Sequence, residues 1–154
     1  MDYFLSIDQG TTSTRTILFE QSGNIKSSHQ VEFNQIFPDN ISVEHDAIEI
    51  LETVKTCIRN VTKDIDVKSI KSVGITNQRE TTVAWSKTTG MPLYNAIVWQ
   101  DTRTQDICDE LVADKDLSVY FDKTGLPVAT YFSLSKILWL IRNVPDIKKT
   151  LDTD

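Results

Sequence analysis

The chain has 154 residues, of which 40% are hydrophobic and 25% are charged, so it can bury a core and has the composition of a globular protein. Its net charge of −6 argues against nucleic acid or an anionic membrane as the main partner. The sequence has no apolar run long enough to cross a bilayer and no basic segment at its amino terminus, so we expect neither an anchor nor a signal peptide.

The chain opens with an apolar segment followed by a turn rich in hydroxyl groups. Residues 3–8 and 14–20 are predicted strands. Between them lie a carboxylate, a glycine and three hydroxyl side chains: Asp8, Gly10, Thr11, Thr12 and Ser13. The N–H and hydroxyl groups of such a turn can donate to phosphate oxygens, and the carboxylate can hold Mg²⁺ through water. The alternative is an ordinary polar hairpin loop, in which the same residue types are common.

The next predicted elements are a third strand at 25–33, a helix at 46–63 and a strand at 69–75. Asp46 can cap the helix, with Glu49 at the spacing of a capping box. The helix carries an apolar stripe that we expect to pack on the sheet: Ala47, Ile50, Leu51, Val54, Ile58 and Val61. Three antiparallel strands, a helix and a strand parallel to the first form the ribonuclease H-like, or actin-like, α/β topology with strand 3–8 central. Nucleases and kinases share this topology, so it does not by itself decide the function.

The second half is predicted to hold a hairpin and two helices. Residues 81–86 and 91–98 pair around a turn, and helices lie near 103–113 and 134–144, the last ended by Pro145. The last helix has a predicted buried stripe of Leu134, Ile137, Leu138 and Ile141. Its other two apolar side chains, Trp139 and Leu140, are expected to be left uncovered.

The thiols and imidazoles have no partner at metal-ligand spacing. Cys57 and Cys108 lie on the apolar faces of predicted helices, and we expect buried free thiols, as in a reducing cytoplasm. We expect His29 and His45 to be structural or solvated rather than metal ligands.

A second chemical motif follows the strand at 69–75. Arg79 and Glu80 stand side by side, with Asn77 and Gln78 before them. A guanidinium offers only donors and a carboxylate only acceptors, so together they can hold adjacent hydroxyls of a polyol. The alternative is a surface ion pair worth about 0–1 kcal/mol.

With these two motifs in this order, the chain resembles the N-terminal part of the FGGY carbohydrate kinases, and among them the glycerol kinases. The matching segments occur in the family's order over nearly the whole chain: residues 8–15, 43–46, 74–82, 94–100, 124–127 and 131–133. The motif Asn77-Gln78-Arg79-Glu80-Thr81-Thr82 is specific to the glycerol kinases of the family. The resemblance implies an incomplete first domain of an actin-like ATPase, spanning 1–154, that acts with ATP and Mg²⁺ on glycerol.

The resemblance also implies roles for individual residues. Asp8 matches the carboxylate associated with Mg²⁺, and the nucleotide-phosphate site is matched by Thr11, Thr12, Ser13 and Arg15. Arg79 and Glu80 match the pair that binds the glycerol hydroxyls. Trp99 matches the aromatic wall against the glycerol carbons, and Tyr131 matches a further hydroxyl contact. Taken singly, Trp99 would be a core aromatic and Tyr131 a half-buried tyrosine.

Members of the family are far longer than 154 residues. By the resemblance, the part beyond this chain carries the general base and the adenosine pocket, so no catalytic residue is expected here and the chain alone is expected to be inactive. The full-length enzyme is expected to be cytoplasmic and homo-oligomeric. The other hypotheses are a non-catalytic remnant or binding module, a kinase for another polyol or sugar, and, more distantly, a nuclease, which would need several gathered carboxylates.

Overall fold

The computed structural model describes residues 1–113 and 118–151. The chain divides into two compact units, one formed by residues 1–35 and 46–78 and the other by residues 36–45 and 79–154. The strands, in chain order, are β1 (Tyr3–Gln9), β2 (Ser13–Glu20), β3 (Ile25–Glu32), β4 (Glu44–His45), β5 (Ile70–Thr76) and β6 (Ala96–Ile97). The α-helices are α1 (Ala47–Thr62), α2 (Gln105–Val112), α3 (Ser118–Thr124), α4 (Ser133–Asn143) and α5 (Pro145–Leu151), and a 3-10 turn lies at Val67–Ser69.

The first unit is built on a mixed four-stranded sheet in the order β3-β2-β1-β5. β1 runs antiparallel to β2 and parallel to β5, and β2 runs antiparallel to β3. This confirms the predicted meander, the parallel strand and the internal position of the first strand. The core beneath the sheet consists of Tyr3, Leu5, Ile7, Leu18 and Val61.

Helix α1 covers one face of this sheet, with a buried side that differs from the predicted stripe. The predicted cap is confirmed, because Asp46 Oδ1 accepts hydrogen bonds from the N–H groups of Ile48 and Glu49. The most buried side chains of α1 are Thr53, Cys57 and Val61. Leu51 is 46% exposed, so its predicted place in the buried stripe was wrong.

A polar contact explains the rotated face of α1. The hydroxyls of Thr53 and Thr14 are 2.8 Å apart, and the Cys57 thiol donates to the Thr14 carbonyl at 3.3 Å. Buried polar groups are kept where they find hydrogen-bond partners. Thr53 therefore occupies the sheet-facing side, and Leu51 turns outward.

In the second unit β4 pairs with β6. The predicted hairpin is present as an irregular ladder: Thr82 and Ile97 exchange both backbone hydrogen bonds at 2.9 Å, and the Leu93 N–H donates to the Ala84 carbonyl at 2.9 Å. It does not form two regular strands, because residues 96–97 pair with β4 as well. Gly90 takes φ +71° in the intervening turn, a conformation that suits glycine.

Helices α2 and α4 confirm the two helices predicted for this half, whereas α3 and α5 were missed. Leu140 is only 3% exposed and packs with Ile97, Val144 and Ile147. The prediction that Leu140 and Trp139 are uncovered was therefore wrong. In their place Leu134 and Ile137, members of the predicted stripe, are 45% and 46% exposed. Across the described residues we find no helix with the length and apolar character that membrane crossing requires.

Candidate functional site

The turn between β1 and β2 is tightly fixed by its own carbonyl groups. The Gly10 N–H donates to the Ser13 carbonyl at 2.9 Å, and a Cβ atom on Gly10 would lie 3.1 Å from that same oxygen. The Gly10 carbonyl accepts from the amides of Gln9 and Gln78 at 2.7 and 3.2 Å. The turn therefore has little room for any side chain in place of Gly10.

The next two carbonyls of the turn are also hydrogen-bonded within the protein. The Thr11 carbonyl accepts from the Gln35 amide at 3.2 Å, and the Thr12 carbonyl from the Phe33 N–H at 3.3 Å. The Ser13 hydroxyl accepts from Gln30 at 3.0 Å, which leaves its proton to donate. An anion approaching the turn thus meets hydroxyl donors while the carbonyl oxygens that would repel it are engaged elsewhere.

Asp8 lies one residue before the end of β1, directly opposite Arg15 on β2. The two side chains form an ion pair at 3.6 Å, and each is nearly half exposed. A pair this exposed contributes about 0–1 kcal/mol, so neither side chain is committed to the other. The described residues hold no group of three or more His, Cys, Asp or Glu side chains that could bind a metal ion by themselves. A Mg²⁺ ion here would therefore depend on Asp8, water and the phosphates of a ligand, a ligand set that suits this ion.

In the second unit Glu80 has an unusual backbone. Its φ of +64° is the only positive value at a non-glycine residue in the described part of the chain. Its Oε2 atom accepts from the N–H and the hydroxyl of Ser133, at 2.9 and 2.7 Å. Ser133 is the first residue of α4, so the carboxylate lies at the positive end of a helix dipole. Strained backbone of this kind persists where the surroundings enforce it, often at binding sites.

Arg79, the neighbour of Glu80, is exposed. Among the described residues it forms no ion pair with Glu80, so the simple surface pair considered from the sequence is not what the structure shows. Its donors remain available to a ligand.

The two aromatic candidates are in contact. The rings of Trp99 and Tyr131 meet edge to face with centroids 5.6 Å apart, and Tyr131 packs on Phe132 at 5.1 Å. The backbone N–H of Trp99 donates to the hydroxyl of Thr81, the residue after Glu80, at 3.3 Å. Tyr131 remains 39% exposed. Segments 79–81, 99 and 131–133 are thus linked within one unit, although they are widely separated in sequence.

A buried charge network supports this region, and sequence reasoning missed it. The Arg103 guanidinium lies 2.8 Å from carboxylate oxygens of both Glu44 and Asp101, and stacks on Trp139 at 4.7 Å. Burial alone would raise the pKa of Glu44, but hydrogen bonds from Asn95, Tyr94 and Arg103 outweigh it and the pKa is lowered. Burial would likewise lower the pKa of Arg103, yet its contacts with Asp101 and Glu44 raise it. The sequence feature that could have indicated this network is the position of Asp101 and Arg103, which follow closely on the Tyr94–Trp99 segment.

Next to Glu80 lies a cavity of about 220 Å³. Its wall is mostly apolar and includes Leu126, Val128 and Phe132, with the Ser133 and Glu80 pair on its polar side. Apolar walls with a few convergent polar groups are typical of small-molecule sites.

Known proteins resemble this chain over nearly its whole length. The model of the FGGY family of carbohydrate kinases, N-terminal domain, matches residues 3–153. A glycerol kinase from Malacoplasma penetrans is 50% identical over 151 residues, covering 97% of this chain and 30% of the relative. A glycerol kinase from Pseudarthrobacter chlorophenolicus is 56% identical over 144 residues, covering 92% of this chain and 29% of the relative. The chain thus spans about a third of the length of these relatives.

Solved structures give the same result for the fold. The crystal structure of Plasmodium falciparum glycerol kinase with ADP matches with a TM-score of 0.89 and 40% identity, over 99% of this chain and 31% of that one. A gluconate kinase from Lactobacillus acidophilus matches with a TM-score of 0.85 at 24% identity, over 96% of this chain and 30% of that one, and shows the fold alone. The predicted actin-like α/β fold class is therefore confirmed.

Proposed function

The chain belongs to the FGGY family of carbohydrate kinases, and from that premise we propose that it is the N-terminal part of an ATP-dependent glycerol kinase. The whole enzyme would transfer the γ-phosphoryl group of MgATP to a terminal hydroxyl of glycerol, giving sn-glycerol 3-phosphate. The observation that carries the proposal is the Glu80 carboxylate, held by Ser133 on a strained backbone beside the Trp99–Tyr131 pair. The identity of about half the residues with glycerol kinases supports it.

The polyol site would be formed by Arg79, Glu80, Trp99 and Tyr131. Glycerol is small and uncharged, so its affinity must come from satisfied hydrogen bonds and an apolar wall. Glu80 Oε2 is already engaged by Ser133. Its other oxygen would accept from one glycerol hydroxyl, while Arg79 and the Tyr131 hydroxyl donate to others. Trp99 would pack against the carbon chain.

The nucleotide phosphates would be bound by Thr11, Thr12, Ser13 and Arg15, in the first unit. The fixed turn offers hydroxyl donors, and Arg15 adds a cation on the adjoining strand. Asp8 would associate with Mg²⁺, which offsets charge on the phosphates during transfer. The buried free thiols of Cys57 and Cys108 support a reducing, cytoplasmic location.

No residue of the chain is proposed as the general base. The base and the adenosine pocket would come from the longer part that the relatives have. Phosphoryl transfer depends on positioning and charge stabilisation between both parts, so the chain alone would not turn over substrate.

The test is a chimera in which residues 1–151 replace the matching segment of the Malacoplasma penetrans glycerol kinase. We expect glycerol-dependent formation of ADP and glycerol 3-phosphate, which the remaining segment of the relative alone does not give. A folded chimera that binds ATP but phosphorylates xylulose or gluconate in preference to glycerol would overturn the choice of substrate. A folded chimera with no kinase activity on any polyol would favour the non-catalytic alternative.

A further inference from the structure

The ammonium group of Lys136 is fully buried in the second unit. Lys136 is the fourth residue of α4 and is 0% exposed, although lysine is almost never buried without a partner. Its Nζ atom donates to three successive backbone carbonyls, those of Thr130, Tyr131 at 3.0 Å and Phe132 at 3.4 Å. In the described residues it forms no ion pair with a carboxylate. Its partners are therefore the carbonyls of the segment that leads into its own helix.

These three hydrogen bonds fix the path of residues 130–132. Phe132 is extended, with φ −85° and ψ 159°, and it supplies no side-chain cap for α4. Without the ammonium group, the carbonyls of Thr130 and Tyr131 would lose the hydrogen bonds it donates, which costs free energy at each one, whereas the Phe132 carbonyl would still accept from the Ser135 hydroxyl at 3.4 Å. Lys136 thus determines how the chain enters α4.

Two residues of the candidate polyol site, Tyr131 and Glu80, depend on the path of the chain into α4. Tyr131 lies within the bound segment, and its ring contacts Trp99. Ser133, the next residue after the segment, holds Glu80 through its N–H and hydroxyl. A shift of the segment would move Tyr131 and the Glu80 carboxylate together.

Burial of the Lys136 ammonium group has a free-energy cost that must be offset. Burial lowers its pKa, while Asp101, Glu80 and Cys108 act in the opposite direction. An apolar side chain would fill such a site without this desolvation cost. The lysine is accounted for by the adjacent carbonyls of Thr130 and Tyr131, which one side chain can satisfy together only if it carries several donors.

We propose that Lys136 is a positioning residue of the polyol site, which holds Tyr131 and Ser133 in place through the carbonyls of residues 130–132. It touches no substrate and takes part in no chemical step. This inference rests on the proposed function for its effect on glycerol, but the positioning itself can be tested without any substrate.

The first test uses NMR on the 154-residue chain. In the wild type we expect a slowly exchanging Lys136 ammonium signal and ring-to-ring NOEs between Trp99 and Tyr131. Lys136→Met should abolish those NOEs and shift the Ser133 amide signal, whereas the matched control Lys148→Met, at an exposed position of α5, should keep the NOEs and leave the Ser133 amide signal in place. Unchanged NOEs in folded Lys136→Met would overturn the proposal. If that variant does not fold, a rapidly exchanging Lys136 ammonium in the wild type would overturn it instead.

The second test uses the chimera. Lys136→Met should raise the KM for glycerol about tenfold or more, with the KM for ATP within about twofold. Lys136→Arg should recover part of the loss because it restores several donors, and Lys148→Met should change neither constant. An equal loss for glycerol and ATP would indicate general destabilisation and contradict the proposal. If the chimera has no activity on glycerol, the proposed function fails while the NMR result still decides the positioning role.

Discussion

Glu80 and Ser133 are 53 residues apart in sequence, yet the Glu80 carboxylate accepts both the N–H and the hydroxyl of Ser133, at 2.9 and 2.7 Å. The contact closes the amino terminus of α4, where unpaired N–H groups attract a negative charge. It also fixes one carboxylate oxygen and leaves the other to a ligand. One side chain thus serves the helix and the candidate site.

Ser133→Ala should loosen this arrangement. The variant loses the hydroxyl bond to a charged acceptor and keeps the N–H bond, so we expect a loss of roughly 1.5–3 kcal/mol of unfolding free energy, less some discount for partial exposure. Urea denaturation of the 154-residue chain measures it. Ser72→Ala, on an exposed position of β5, is the control and should change stability by less than about 0.5 kcal/mol. Equal stabilities of the two variants would show that the hydroxyl bond contributes nothing.

Arg79→Ala should weaken glycerol binding and leave ATP binding nearly unchanged. Arg79 is exposed and forms no ion pair among the described residues, so its removal should cost the ligand contact rather than the fold. A hydrogen bond from a charged donor is worth about 1.5–3 kcal/mol, which is more than tenfold in the KM for glycerol. Steady-state kinetics of the chimera give the value, with exposed Arg59→Ala on α1 as control. A KM for glycerol equal to that of the control would remove Arg79 from the site.

Gly10→Ala should impair nucleotide binding selectively. Its Cβ would lie 3.1 Å from the Ser13 carbonyl, so the turn must open by a few tenths of an ångström. Gly74 makes a matched control, because a Cβ there meets nothing within 4 Å and its φ is not positive. We expect a weaker ATP affinity for Gly10→Ala only, and a gain of about 0.4–1 kcal/mol in stability for Gly74→Ala. Calorimetric titration of the chimera with an ATP analogue checks this, and unchanged affinity in Gly10→Ala would contradict the phosphate-turn assignment.

The Glu44 carboxylate should make the free energy of unfolding depend on pH in the acidic range. Its folded-state pKa is lowered from 4.5, so the stability it contributes is present above about pH 4.5 and is lost as the pH falls through the lower folded value. Glu44→Gln leaves Arg103 short of one buried partner and should cost roughly 3–5 kcal/mol near neutral pH. The deficit relative to wild type should shrink below pH 4.5. Urea midpoints at several pH values test this, with exposed Glu32→Gln as control; a deficit that does not change with pH would be inconsistent with it.

The sequence predicted best where a local pattern determines the structure. The antiparallel pairing of β1 and β2 across a short turn and the cap at Asp46 depend on residues close in sequence, and both are confirmed. The buried side of α4 could not be predicted in the same way, because most of its faces carry apolar residues and periodicity does not choose among them. The burial of Lys136 decides it, and that depends on carbonyls whose direction follows from the folded chain.

The same limit holds for the candidate site. Arg79, Glu80 and Trp99 were identified as candidates from residue types and the family resemblance. The positive φ of Glu80 and its bond to Ser133 were not, because Glu80 carries no residue-type signal for that backbone. Helices α3 and α5 were missed because each has only 7 residues, too few to show a clear helical period.

The 154-residue chain should have no glycerol kinase turnover of its own and should self-associate. Leu140 is buried, but apolar side chains are exposed elsewhere, among them Val73 and Ile75, which are 53% and 72% exposed on β5, the last strand of the sheet order. An edge strand with apolar side chains favours pairing with other chains. Light scattering should therefore show oligomers that Ile75→Lys reduces, because a charge on the edge opposes pairing.

Ile25→Lys is the control for this experiment. Ile25 is 62% exposed and lies on β3, at the opposite edge of the same sheet, where its neighbours are mostly polar. The substitution adds the same charge but should leave the association nearly unchanged. A monodisperse wild-type monomer, or equal effects of the two substitutions, would show that β5 is not the associating edge. Robust glycerol 3-phosphate formation by the purified chain would show that a residue within it can act as the base.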